Sequence, residues 1–293
     1  MSYSTETTLS ALVQRTTDHV LSRIAEVRPL TVPFRHCSIS NILPDDVYAG
    51  LDAYRREILS SKMLQQRSQD SRTFVNRRFR LHGSDNLWAK TMCTVFASAV
   101  VRKALFEHFY TSLTTELLNR TEIHREFEFT FCRPGLFQDI HIDIPPKLLS
   151  MVFYFPEGHI SGTESVNNAT ILYDRQLRPA GSARFIANSV CIFAPHFYSY
   201  HGFATTIDRH AIVMFYIDRT ILRFWRLMDR LSPVIRLDRP PYRLIRKFVS
   251  WKLRTFRQIE YETGGSGKIA AESEQCLVNA PQGRVIIPRP ISQ

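Results

Sequence analysis

Cysteine is scarce and unpatterned. Five residues, at positions 37, 93, 132, 191 and 276 of a 293-residue chain, form no Cys-x-x-Cys pair. An odd, scattered set fits neither a disulfide framework nor a zinc cluster, and the expectation is reduced thiols in a cytoplasmic protein. Glycine and proline are also few, at eleven and fifteen, which excludes collagen-like and Pro/Gly-rich polymers. No apolar run reaches the roughly 18 residues of a membrane-spanning helix. The first ten residues are polar, carry Glu6 and lack a basic stretch leading into an apolar core, so no secretory signal is expected. No repeat with a period of roughly 20 to 50 residues is visible.

What is present is globular: 44% hydrophobic and 22% charged residues. Lys and Arg outnumber Asp and Glu by 38 to 27, a formal charge of +11. The excess is local, because twelve basic and four acidic residues lie between Asp218 and Glu260. Aromatic residues are interleaved there (Phe224, Trp225, Tyr242, Phe248, Trp251, Phe256). Segment 219–257 therefore reads as helices that pack on the core with a charged outer face, or as an anion-binding or peripheral membrane contact. It holds no recognised nucleic-acid motif, and nucleic acid is not an expected partner.

Apolar spacing predicts helices over 5–27, from Pro44-Asp45-Asp46 onward, and over 86–119, with a short edge strand at 33–42. From about Glu126 the texture changes to short Val/Ile/Phe/Tyr-rich runs divided by Pro, Gly and Asn: 127–133, 148–155, 170–174, 183–187, 190–194, 198–203 and 209–217. Such spacing indicates a sandwich or barrel. After Asp218 helix returns, with a basic helix at 242–260. The expected class is α+β: one domain over 1–262, made of a helical preamble (1–125), a β core (126–217) and a basic helical extension (218–262), then a flexible linker and tail at 263–293.

Within the β region, Gln138-Asp139-Ile140-His141-Ile142-Asp143 places an imidazole and a carboxylate two residues apart, on one face of an extended chain. Such a pair fills two sites of a divalent metal. A second His from another strand completes the two-His-one-carboxylate set of non-haem iron(II), which leaves coordination sites open. His201-Gly202 follows Asp143 by 58 residues, and Arg209 follows His201 by eight. A guanidinium entering an apolar barrel needs an anion, and a dicarboxylic acid offers a bidentate one. His196 is the rival ligand, but its odd spacing from His201 turns it to the other face of a regular strand. Arg209 could instead pair with Asp208 or Glu157, and Tyr154 could be plain core. His210 is expected on the rim, and His159 in a solvated loop.

His141-x-Asp143, the Gly162-Thr163 and Leu172-Tyr173 region, His201-Gly202 and Arg209 occur in an order that resembles the iron(II)/2-oxoglutarate-dependent dioxygenases, in particular the prolyl-hydroxylase-like branch. The resemblance spans about residues 127–217. It implies a double-stranded β-helix (a distorted jelly roll) flanked by N- and C-terminal helices. It also implies Fe(II) held by His141, Asp143 and His201, and 2-oxoglutarate and O2 as co-substrates. The distal carboxylate of 2-oxoglutarate would lie on Arg209, assisted by Tyr154. Where that branch often has Tyr before the Pro-Gly turn, this chain has Arg133, so Arg133 and Lys147 become candidate substrate contacts. The implied activity is C–H oxidation, by default hydroxylation, of a small-molecule or carrier-linked intermediate bearing an anionic group. A protein-residue hydroxylase and a non-catalytic β-barrel sensor or interaction module are the alternatives.

Overall fold

The protein is described by a computed structural model that covers residues 2–61, 65–69, 74–144, 146–158, 160–196, 198–223 and 226–227. His159, the basic helix expected at 242–260 and the tail at 263–293 lie outside the described residues. The elements run α1 (Ser2–Ala25), β1 (His36–Ser40), α2 (Asp45–Ser60), β2 (Gln65–Gln69), β3 (Phe74–Arg80), α3 (Leu87–Ala97), α4 (Ala99–Phe109), α5 (Ser112–Asn119), β4 (Ile123–Cys132), β5 (Phe137–His141), β6 (Lys147–Tyr154), α6 (Gly162–Asn167), β7 (Thr170–Tyr173), β8 (Pro179–Ala183), β9 (Ser189–Phe193), β10 (His201–Ala204) and β11 (Arg209–Asp218). Among the described residues no helix is long and apolar enough to cross a membrane.

Two antiparallel sheets form the core. The larger has the order β1-β9-β6-β11-β4-β3-β2 and the smaller β5-β10-β7-β8. Apart from β2–β3, β3–β4 and β7–β8, neighbouring strands come from separate parts of the chain, and the two sheets are the wound halves of a double-stranded β-helix, the fold expected above. The central strands are buried on both faces, which is why they read as continuous apolar runs. On β6 and its continuation, Met151, Phe153 and Phe155 join the core cluster shared with helices α1 to α4, whereas Tyr154 belongs to a second cluster with Phe34, Leu172, Phe185, Cys191 and Phe193. Alternation along the strand therefore sorts side chains into a helix-facing and an inward-facing set.

Three local features depart from the sequence reading. The preamble up to residue 125, expected to be helical apart from an edge strand at 33–42, also contains the β2–β3 hairpin, which extends the large sheet past β4. Its second arm pairs Phe79 with Phe129. The helical run expected over 86–119 is broken at Ser98, which closes α3 and whose hydroxyl accepts from Val101 N to start α4. A short helix, α6, was not anticipated. Ser161 and Glu164 cap it reciprocally, and the Ser-x-x-Glu spacing was a readable signal.

Candidate metal and co-substrate site

His141 ends β5, His201 begins β10, and the two residues face each other directly in the register of the small sheet. Their ring centroids are 4.3 Å apart. Asp143 lies just beyond β5 and is buried. One ligand atom from each of His141, Asp143 and His201 falls within 4.8 Å of the others, and no other such group occurs among the described residues. His201 Nδ1 lies 2.9 Å from the carbonyl of Ser199. Donation of Nδ1–H to that oxygen leaves the Nε2 lone pair for a metal. Burial first, then the neighbouring His141, push the His201 imidazole down to about 4 against the pull of Asp143, so the ring is neutral at pH 7. Burial raises the Asp143 carboxyl, but Lys147 and the two imidazoles outweigh it and hold the group below the ordinary carboxylate range. The half-buried His141 imidazole, the buried His201 imidazole and one buried, ionised carboxylate are a donor set that fits iron(II).

Side chains around the triad occupy its donor atoms. Gln138 Nε2 lies 3.1 Å from His141 Nε2. Lys147 donates to Asp143 Oδ1 at 2.5 Å, and Ser150 donates to Oδ2 at 2.5 Å. Sequence reasoning assigned no role to Gln138 or Ser150. Ser150 left one trace, as a lone hydroxyl in the apolar run Leu148–Phe155.

Arg209 opens β11 opposite Cys132 and is 2% exposed. Its Nε donates to the carbonyl of Asn168 (3.1 Å) and Nη2 to Thr170 Oγ1 (3.0 Å). The guanidinium carbon lies 3.9 Å from the centre of the Phe203 ring. Among the described residues no carboxylate pairs with it. Glu157, the partner weighed above, binds Arg55 instead. A buried guanidinium among neutral oxygens and aromatic faces is a site for an anion. Tyr154 stands beside it, donating to the same Thr170 Oγ1 at 2.6 Å. Burial moves the Tyr154 phenol upward, so it stays a donor. Thr170, whose oxygen both groups share, lies in the strand run 170–174 and was given no function.

The remaining candidates lie elsewhere. Arg133 is exposed on the β4–β5 turn, at the end of β5 away from His141. His196 stays outside the triad and accepts from Tyr198 N through Nδ1 at 3.1 Å. His210 does point away from Arg209, but it is not on the rim. It is 4% exposed and faces the helix layer, where Arg55 Nη1 donates to its Nδ1 at 2.5 Å. The large sheet is covered on that side, so the face opposite the site is core rather than solvent.

No family model and no curated protein matches the sequence. Solved structures do match in fold. A Pseudomonas putida prolyl-4-hydroxylase superposes with a TM-score of 0.52 at 14% identity, covering 68% of this chain and 99% of the other. A Trichoplax adhaerens prolyl hydroxylase, in complex with a hypoxia inducible factor peptide fragment, gives 0.51 at 14% identity, with 71% and 91% covered. A Phytophthora capsici prolyl 4-hydroxylase gives 0.50 at 13% identity over 85% and 83%.

Proposed function

Because the chain has the fold of the prolyl-hydroxylase-like iron(II)/2-oxoglutarate oxygenases, we propose that it is an iron(II)/2-oxoglutarate-dependent oxygenase, with residues 1–262 as its catalytic domain. The observation that carries this reading is the convergence of His141, half-buried, with the buried Asp143 and His201. Iron(II) held there supplies, with 2-oxoglutarate and O2, oxidative decarboxylation to succinate and CO2 coupled to oxidation of a substrate C–H bond. The chain's own residues orient and exclude. Ser199 sets the His201 tautomer, Arg209 and Tyr154 receive the distal carboxylate beside Thr170, and the aromatic rings of Phe185, Phe193 and Phe203 keep the surroundings dry.

The substrate in this reading is a small-molecule or carrier-linked intermediate with an anionic group, supported by the concentration of basic residues in segment 219–257. Oxidation of a protein residue is the alternative. Succinate release, measured with panels of anionic metabolites and of peptides, separates the two. The enzyme reading itself is tested by succinate formation without added substrate. Wild type is expected to turn over 2-oxoglutarate slowly in the presence of Fe(II) and O2, and His141→Ala and Asp143→Ala to fall to background with unchanged circular dichroism. Full turnover by either variant refutes the ligand assignment. A wild-type protein that neither turns over nor binds 2-oxoglutarate in the presence of metal is the non-catalytic module instead.

A further inference from the structure

Lys147 is the first residue of β6, and strict alternation from Ser150, Val152 and Tyr154 would turn it toward the helices. The ladder with β11 prevents this. Tyr216 pairs with Leu149 but Ile217 pairs with Lys147, so Leu148 is an extra residue on β6. A one-residue bulge re-aims the side chain that precedes it. Lys147 is thereby brought to the face of Ser150, and its ammonium reaches Asp143 Oδ1. The same nitrogen lies 3.4 Å from the centre of the Phe215 ring, and the side chain is 16% exposed. An aromatic face on β11 and the carboxylate that follows β5 thus hold the ammonium, and the other oxygen of that carboxylate is taken by Ser150.

We infer that Lys147 is a resident counter-cation of the metal-binding carboxylate, positioning Asp143 before the metal arrives and opposing the metal's charge once it binds. The inference rests on the metal reading of the triad proposed above. An ionised carboxylate this buried needs a cation in the metal-free protein, and Lys147 supplies one. A dication at the triad then meets an ammonium that already neutralises one of its three ligands, at a separation where Coulomb repulsion in a poorly screened site is large. The bulge makes this arrangement part of the backbone and not a chance rotamer.

The test uses Mn(II), titrated calorimetrically in the absence of 2-oxoglutarate, with thermal unfolding of the metal-free protein as a second readout. Lys147→Met is expected to bind Mn(II) at least about tenfold more tightly than wild type while its metal-free form melts at a lower temperature. Lys147→Arg, which keeps the charge, is expected to stay near wild type. Ser150→Ala, which removes an orienting hydrogen bond without removing charge, is expected to bind no more tightly. A lysine with a merely structural role would lower affinity and stability together. Mn(II) affinity in Lys147→Met that equals or falls below wild type therefore overturns the inference. If Lys147→Met does not fold, Lys147→Gln is read by the same criterion. Wild-type Mn(II) binding that survives in His141→Ala overturns the metal reading, and this inference with it.

Discussion

At the scale of single residues, Arg209 is a buried charge with no carboxylate partner among the described residues. Its polar partners are a backbone carbonyl and a hydroxyl, so the free protein carries a desolvated cation that an incoming carboxylate would neutralise. Charge-assisted hydrogen bonds contribute about 1.5–3 kcal/mol each, and about 1.4 kcal/mol is tenfold in affinity. Arg209→Ala is therefore expected to raise the 2-oxoglutarate concentration needed for half-maximal turnover by about 100-fold, with a much smaller change in the iron requirement. Steady-state titration of each checks this, and equal changes would place the co-substrate elsewhere. The convergence of His141, Asp143 and His201 was legible because few residue types ligate a metal and their order along the chain is distinctive. Thr170, Asn168, Ser150 and Gln138 were not, because a hydroxyl or amide in a sequence is compatible with too many roles until its neighbours are known.

At the scale of elements, helical periodicity located α1, α2 and the α3–α5 region, and apolar runs located most of the strands. The β2–β3 hairpin escaped because Gln65-Gln66-Arg67-Ser68-Gln69 has no apolar alternation and is strand only by virtue of pairing at the sheet edge. Helix packing also reverses a local preference at Gly50. Alanine is the better helix former by about 1 kcal/mol, but a Cβ there would lie 2.2 Å from Trp88 Cδ2, across the contact between α2 and α3. Gly50→Ala is expected to destabilise the protein by about 1–3 kcal/mol through overpacking, measured by urea unfolding. A gain in stability would show that the indole moves freely.

At the scale of the whole molecule, a buried polar cluster ties the helix layer to the large sheet. Arg55 on α2, 2% exposed, donates to Asp52 Oδ1 (2.8 Å), to Glu157 Oε1 (3.0 Å) and to His210 on β11. Burial first, then Arg55, lower the His210 imidazole from 6.5 to about 4, against Glu157 and Asp52. The unfolded chain takes up a proton near its ordinary value, whereas the folded chain does so only near 4. Stability is therefore undiminished above about 6.5, falls as pH drops through this window, and has lost its full share below about 4. The share is roughly 3 kcal/mol for one histidine shifted this far. His210→Gln is expected to flatten the fall in urea midpoint between pH 6.5 and 4, leaving the slope contributed by His201, which is lowered in the same window. An unchanged profile would mean that His210 is not the titrating group.

Local order along the chain was enough to indicate the α+β class and the place of most helices and strands, because alternation and turn residues are properties of neighbours in sequence, whereas the double-stranded β-helix was implied only by the family resemblance that the order of motifs carries. Tertiary structure alone decided that His201 stands opposite His141, that His210 faces helices instead of solvent, and that one extra residue at Leu148 turns Lys147 toward Asp143. These depend on register between strands far apart in the chain, and a shift of one residue exchanges the two faces of a strand.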